Sequence, residues 1–295
     1  MKNKLYIYMK NRRILLLLPL FLMAAAVAWG QSVQSCRRAL VFGLGEQMDV
    51  SWGKINGDKD VAYVVEMLHG VGFTDIVTLV NSQATKAAMV AAFEELAGRC
   101  HKGDIVYIHY SGHGQLMTDI NGDEQFKWSG NHAQWDEAWI PYDAYMQYGA
   151  NDKGEKHLCD DEVATLLLGI RRKIGNSGEL MVVVDACHSG DATCGEMPPQ
   201  RGIDVKFNIP RKANEPVDEP ADEQWLTVSA CKPFQVNVEM GTPKVGKLTY
   251  ALYTLGYAVL ENDAVRLQEL LQKFMQENRG PLPQNPVVSG SRKML

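Results

Sequence analysis

Residues 179–190 read ELMVVVDACHSG. Leu180 to Val184 are apolar, three of them valines, and they run into Asp185, Ala186 and Cys187 before the pattern breaks at His188, Ser189 and Gly190. An unbroken β-branched run of this kind is what a strand buried on both faces of a parallel sheet shows. Four more stretches share it: RRALVFGL (37–44), DIVTLV (75–80), DIVYIHY (104–110) and QWLTVSA (224–230). Between them the period becomes helical, in DVAYVVEMLHGVG (60–72), in SQATKAAMVAAFEELAGR (82–99) with Ser82 as its cap, and in DDEVATLLLGIRRK (160–173), acidic first and basic last. Two further helices are expected from about Leu248 and about Ala264. Strands alternating with helices imply an α/β fold built on a doubly wound parallel sheet.

Two connections are too long for simple turns. Residues 111–159 are rich in Asp, Gly and aromatics, and residues 191–222 in Pro and charge. Both follow the carboxyl ends of strands, where open α/β sheets bind their ligands. Two strand ends there share one layout. YIHYSGHG (107–114) places His113 just past one strand, and VVVDACHSG (182–190) places Cys187 just past the next, so neighbouring strands present an imidazole and a thiol at one edge. A free thiol is mostly protonated at neutral pH, and a His that accepts its proton generates the thiolate that attacks a carbonyl. The same His then protonates a leaving amine. Gly112, Gly114 and Gly190 leave room for a substrate backbone, and the amides of Gly114 and Cys187 are placed to stabilise an oxyanion. A lone Cys at a strand end is more often a small buried hydrophobe; the Gly-flanked His at the equivalent place reverses that reading. His109 lies inside an apolar run and is expected to point into a sheet face. His188 adjoins Cys187, points to the opposite side in extended chain, and is the poorer base.

The first thirty residues differ from the rest. Lys2, Lys4, Lys10, Arg12 and Arg13 precede the apolar run ILLLLPLFLMAAAVA, followed by Ala28, Trp29 and Gly30, which reads as a secretory signal peptide cut after Gly30; Met9 is an alternative start. The run is shorter than the ~20 residues of a membrane span. Without this segment, which carries five of the 30 basic residues and none of the 35 acidic ones, the formal charge falls from −5 to −10. That balance argues against nucleic acid or an anionic membrane as partner and suits cationic ligands. The expected location is exported, periplasmic or secreted. All six cysteines (36, 100, 159, 187, 194 and 231) lie beyond Gly30, and none has zinc spacing.

YSGHG (110–114) followed by DACHSG (185–190) resembles the catalytic pair of the metacaspases, caspase-like cysteine peptidases. INGDKDVAYVVEMLHGVGF (55–73) resembles the segment after their first strand, WDEAWIPYDA (135–144) and CDDEV (159–163) their acidic insertion, and VSACKPFQ (228–235) and KLTYAL (247–252) their small-subunit portion. The resemblance spans about residues 36 to 275. It implies a caspase-like (caspase-hemoglobinase) α/β fold with a central, mostly parallel six-stranded sheet flanked by helices. It divides residues 31–295 into a large-subunit-like part (about 36–190), a linker (191–222) and a small-subunit-like part (223–295). It makes Cys187 the nucleophile and His113 the general base and acid, needs no cofactor for the chemistry, and implies polypeptide substrates and a monomer. It also implies a pocket for the residue preceding the cleaved bond (P1) made by Asp60, Ser111 and Asp185, hence cleavage after Arg or Lys. The chemistry agrees, since carboxylates at this edge are best neutralised by a guanidinium or ammonium group; the alternative for Asp60 is a helix-capping acid.

Metacaspases often require calcium, and the implied ligands are Asp136, Asp160 and Asp161; the alternative is that Asp160 and Asp161 cap the helix they begin. Asp119, Asn121 and Asp123 open like an EF-hand loop, but the glycine and the closing Glu that such a loop needs are missing, with Gly130 standing where the Glu belongs. The family's Asp after the catalytic Cys has no clear counterpart in CHSGDATCGEM, which leaves Asp191 and Cys194 unexplained. The linker offers Arg201, Lys206, Arg211 and Lys212 as autocleavage sites. Cys36 and Cys100 precede strands that neighbour each other in the caspase-like order, which suggests a disulfide; free thiols are the alternative. Two other functions stay open: a catalytically idle caspase-like module that binds basic peptides, and a basic-specific peptidase of the clostripain and gingipain group.

Overall fold

Each of the five apolar runs forms a strand, and all five lie in one sheet. The computed structural model describes residues 35–122, 135–187, 200–203, 205–210, 224–232, 235–280 and 282–293. In chain order the strands are β1 (Arg37–Gly43), β2 (Asp75–Val80), β3 (Ile105–Ser111), β4 (Gly114–Thr118), β5 (Trp135–Trp139), β6 (Leu158–Cys159), β7 (Glu179–Asp185), β8 (Leu226–Ser229) and β9 (Val287–Gly290). The helices are α1 (Gly57–Gly70), α2 (Lys86–Arg99), α3 (Asp160–Ile174), α4 (Lys247–Leu255), the short α5 (Ala258–Glu261) and α6 (Ala264–Glu277). The main sheet runs β2-β1-β3-β7-β8-β9, parallel except for the antiparallel edge strand β9. The fold is therefore the caspase-like six-stranded α/β sheet that the sequence implied.

The runs are continuous rather than alternating because both faces of the sheet are covered. Leu40, Phe42, Val106, Ile108, Tyr110, Leu180, Val182 and Val184 pack on one side with residues of α2 and α3. Ala39, Val41, Tyr107, Met181, Val183, Leu226 and Val228 point the other way, against α1, α4 and α6. β8 lies beside β7 and feeds the same core, so the chain before and after residues 191–222 shares one sheet. α2 begins later than the sequence suggested: Asn81–Gln83 forms a 3₁₀ turn, and Thr85 rather than Ser82 caps the helix, its hydroxyl accepting from the Ala88 N–H at 3.3 Å. Cys36 and Cys100 are not joined. Cys100 is buried in the core beneath the sheet, where burial pushes its thiol up to about 11, while Cys36 is exposed.

A feature absent from the sequence reading sits in the 111–159 connection. β4, β5 and β6 form a separate antiparallel sheet. Residues 202–203 and 205–209 run alongside β4, with parallel bridges Gly114 to Gly202 and Met117 to Phe207. The Phe207 N–H donates to the Leu116 carbonyl at 2.8 Å, and Thr118 N–H donates to the Phe207 carbonyl at 3.0 Å. The Phe207 ring is fully buried with Trp52, Met117, Ala138, Ile140 and Ala144. Among the described residues no helix is long and apolar enough to cross a membrane; the expected signal peptide lies outside them.

Candidate active site

Ser111 at the end of β3 is the register partner of Asp185 at the end of β7. His113 and Cys187 follow each by two residues, so both emerge at the same sheet edge, as the sequence predicted. His113 is held by three contacts. Its Nε2 lies 2.6 Å from the Gly53 carbonyl, its ring sits 5.1 Å from the Trp52 ring, and the Tyr110 hydroxyl donates to its backbone carbonyl at 2.6 Å. A carbonyl only accepts, so Nε2 carries the proton and Nδ1 keeps a lone pair. Nδ1 is buried with no hydrogen-bond partner. Burial holds the ring's pKa down to about 4, the Gly53 contact opposing this only in part. His113 is thus a neutral base whose open nitrogen is ready for a proton. His109, as expected, lies inside the sheet, where its ring nitrogens meet the hydroxyls of Tyr107, Ser111 and Thr249.

The residue that organises the rest of the site is Arg201. Its carbonyl oxygen accepts from the Cys187 N–H at 2.9 Å and from the Gly114 N–H at 3.1 Å. These are the two amides expected to hold an oxyanion, at the distances such a hole requires. Its own N–H donates to the Asn237 carbonyl at 3.0 Å, and Gln200 forms an antiparallel bridge with Val238. The next residue must be small: a Cβ on Gly202 would collide with the Cys187 backbone carbonyl. The Arg201–Gly202 peptide therefore lies across the thiol-bearing edge, its carbonyl on the Cys187 and Gly114 amides.

The Arg201 side chain is fully buried among acids. Nη1 is 2.6 Å from Asp60 Oδ2, 3.3 Å from Ser111 Oγ and 3.4 Å from Asp185 Oδ1. Nε and Nη2 donate to Glu239 Oε1 at 3.2 and 3.1 Å. Asp60, Ser111 and Asp185, chosen from the sequence, thus converge on one guanidinium. Asp60 is delivered by the first turn of α1, which approaches so closely that a Cβ on Gly57 would strike the Leu44 carbonyl. Burial pushes the Asp60 carboxyl up, Arg201 countering and Asp185 reinforcing the rise. For Asp185, burial is outweighed by Arg201 and by donors from Thr249 and Asn237, and its carboxyl is held below the usual range. The Thr249 hydroxyl donates to Asp185 Oδ2 at 2.6 Å, and Asn237 Nδ2 donates to Oδ1 at 2.7 Å. Sequence reasoning missed Glu239, Asn237, Thr249, Gly53 and Tyr110; KLTYAL and the stretch after SACKPFQ were the available signals for the first three.

A family profile described as "Metacaspase, peptidase C14 domain" matches residues 37–194, more than half of the chain. The chain belongs to the metacaspase family. Metacaspase-1A of Aspergillus fumigatus is 30% identical over 164 residues, covering 53% of this chain and 35% of the relative. Metacaspase-1 of Ajellomyces capsulatus is 31% identical over 169 residues, covering 53% and 41%. The chain thus spans well under half the length of these curated relatives. Among solved structures, a Geobacter sulfurreducens protein superposes with TM-score 0.60 at 22% identity, covering 88% of this chain and 94% of that one. Caspase-1 from Spodoptera frugiperda gives 0.59 at 13% identity, covering 87% and 89%. Both likenesses concern the fold alone, and the metacaspase match sets aside the clostripain and gingipain alternative.

The metacaspase calcium set is only partly assembled. Ligand atoms of Asp136, Cys159 and Asp161 lie within 4.8 Å of one another, so the thiol, not Asp160, is the third member. Asp161 also accepts from Asn121 Nδ2 at 2.7 Å. Calcium takes six to eight oxygen ligands and thiols suit softer ions, so these three residues by themselves do not complete a calcium site. Of the other linker residues, Lys206 lies away from the site with its ammonium 4.5 Å from the Trp135 ring centroid. Arg211, Lys212, Asp123, Gly130, His188, Gly190, Asp191 and Cys194 lie outside the described residues.

Proposed function

We propose that this chain is a cysteine endopeptidase that cleaves after Arg, more slowly after Lys, and that its first substrate is its own Arg201–Gly202 bond. The Cys187 thiol, which donates to the Gln235 carbonyl at 2.8 Å, rotates toward the Arg201 carbonyl carbon and gives its proton to His113 Nδ1. Sulfur attacks, and the oxygen's new charge is held by the Gly114 and Cys187 amides. Collapse breaks the C–N bond, and His113 passes the proton to the departing Gly202 nitrogen. Water, deprotonated by the same imidazole, then hydrolyses the thioester. No metal enters these steps.

The observation that carries this reading is that one residue satisfies two independent requirements. Its carbonyl lies on the oxyanion amides while its side chain neutralises the acidic pocket. A binding module for basic peptides would share the pocket but not cut. Intact-mass measurement of purified protein beside Cys187→Ala separates the two. We expect the wild type to divide between Arg201 and Gly202, the variant to stay whole, and Arg201→Ala to lose that cut. A wild type that stays as whole as Cys187→Ala, the two masses differing only by the substituted side chain, would overturn the autocleavage. Fluorogenic peptides with Arg, Lys or Asp at P1 then test turnover in trans, and absence of any turnover favours the binding module. Running them with calcium and with a chelator reads whether the Asp136–Asp161 cluster bears on rate. The amino-terminal segment supports export, with cleavage after Gly30 read by amino-terminal sequencing of the mature chain.

A further inference from the structure

Cys231 has no part in the steps above, yet it sits against the thiol that does. β7 and β8 are parallel neighbours paired through Val184 and Ser229, and the Ala230 N–H donates to the Val184 carbonyl at 3.0 Å. The two chains therefore leave the sheet side by side, one carrying Cys187 three residues on and the other Cys231 two residues on. Adjacent strands are about 4.8 Å apart, a spacing of the order of the ~4.4–6.8 Å between Cα atoms that a disulfide spans.

The side chains also meet. Both thiols donate to one acceptor, the Gln235 carbonyl, at 2.8 Å from Cys187 and 3.2 Å from Cys231, which draws the two sulfurs to the same point. That carbonyl is fixed by its own turn, with the Gln235 N–H donating to the Lys232 carbonyl at 3.1 Å and its side-chain Oε1 accepting from the Lys232 and Asn285 N–H groups. The neighbouring Cys187 thiol, with burial behind it, pushes the Cys231 thiol far up.

We propose that Cys187 and Cys231 are a disulfide-forming pair that a peroxide closes, reversibly withdrawing the nucleophile. The Cys187 thiolate attacks one peroxide oxygen, the O–O bond breaks, and sulfenic acid and hydroxide result; Cys187 is oxidised and the peroxide reduced. Cys231 then attacks the sulfenic sulfur, its proton leaves with the departing hydroxyl as water, and the S–S bond forms. In total two thiol hydrogens and one hydrogen peroxide become one disulfide and two waters. A dithiol reductant reverses this by exchange, whereas a sulfenic acid with no neighbouring thiol goes on to the irreversible sulfinic acid.

The test treats the purified protein with hydrogen peroxide, alkylates remaining thiols under denaturing conditions, and maps peptides without reduction. We expect a peptide linking Cys187 to Cys231, an intact mass lower by ~2 Da, and turnover reduced at least about tenfold and restored by dithiothreitol. In Cys231→Ser, with Cys231→Ala as a second variant should serine disturb packing, the link is lost. Cys187 then gains one and later two oxygens, and dithiothreitol no longer rescues. A link from Cys187 to another cysteine such as Cys194 overturns the proposal. So does wild-type Cys187 carrying added oxygen to the same extent as in the variants. Because the link is read by mass, it is decided even for a protein that turns over no peptide, so failure here and failure of the peptidase reading are distinguishable.

Discussion

If the chain cleaves after basic residues as proposed, Glu239 is the residue that would set Arg apart from Lys. It receives both Nε and Nη2 of Arg201, while Nη1 is left to Asp60, Ser111 and Asp185. An ammonium group has neither the reach nor the fork to serve both sides. The carboxylate is itself held in place, its Oε1 accepting from the Asn56 N–H at 2.6 Å and its Oε2 bonded to the Asn56 amide. Glu239→Gln keeps the shape and removes the charge, and charge-assisted hydrogen bonds contribute ~1.5–3 kcal/mol. Arg-P1 peptides should therefore lose about 10- to 100-fold in kcat/KM, with Lys-P1 peptides changing far less, so that the Arg/Lys ratio shrinks. An unchanged ratio would remove Glu239 from selection. The sequence disclosed half of this pocket. Ser111 and Asp185 were legible because each precedes a chemistry-bearing residue by two positions on neighbouring strands, whereas Glu239 lies in irregular chain beyond β8, where no period links it to the site.

The strands themselves were legible because burial on both faces leaves an apolar run that no amphipathic helix shows. The small sheet of β4, β5 and β6 was not, since GQLMT and WDEAW are short and mixed, and each strand depends on partners far along the chain. That sheet bears on function because residues 202–203 and 205–209 extend it along β4 and bury Phe207 in its apolar face. Cleavage after Arg201 frees the acidic pocket on one side of the bond but leaves this strand anchored on the other, while β8 stays paired with β7. The two pieces should consequently run as one species in size-exclusion chromatography and separate only on denaturation. Phe207→Ala removes an anchor worth ~3–5 kcal/mol in a packed core. It should slow cleavage at Arg201 by tenfold or more, while a Cys187 enzyme already cut keeps its turnover of small peptides. Equal rates of self-cleavage would mean that the strand does not present the bond.

Across the whole molecule the same site makes stability depend on pH. His109 and His113 are both fully buried and both held down to about 4, chiefly by burial. In the unfolded chain each titrates near ~6.5. Between those values the unfolded state binds protons that the folded state refuses, so stability falls as pH drops, by up to ~1.4 kcal/mol per pH unit for each ring. Asp60 acts in the opposite sense, because a raised carboxyl adds stability toward acid, and so it flattens the slope. Asp49, Asp104, Asp152 and Asp185, all lowered, begin to lose their stabilising contribution as pH falls toward the usual carboxylate range, and so steepen the fall at the acid end of this window. Urea unfolding of Cys187→Ala, in which Arg201 stays seated in its acidic pocket, should show the midpoint dropping steadily from pH 6.5 to 4.5. His109→Gln should remove one proton's share and make the fall shallower. A midpoint independent of pH across that interval would mean that the imidazoles are protonated in the folded chain, and a protonated His113 has no lone pair with which to take the thiol proton.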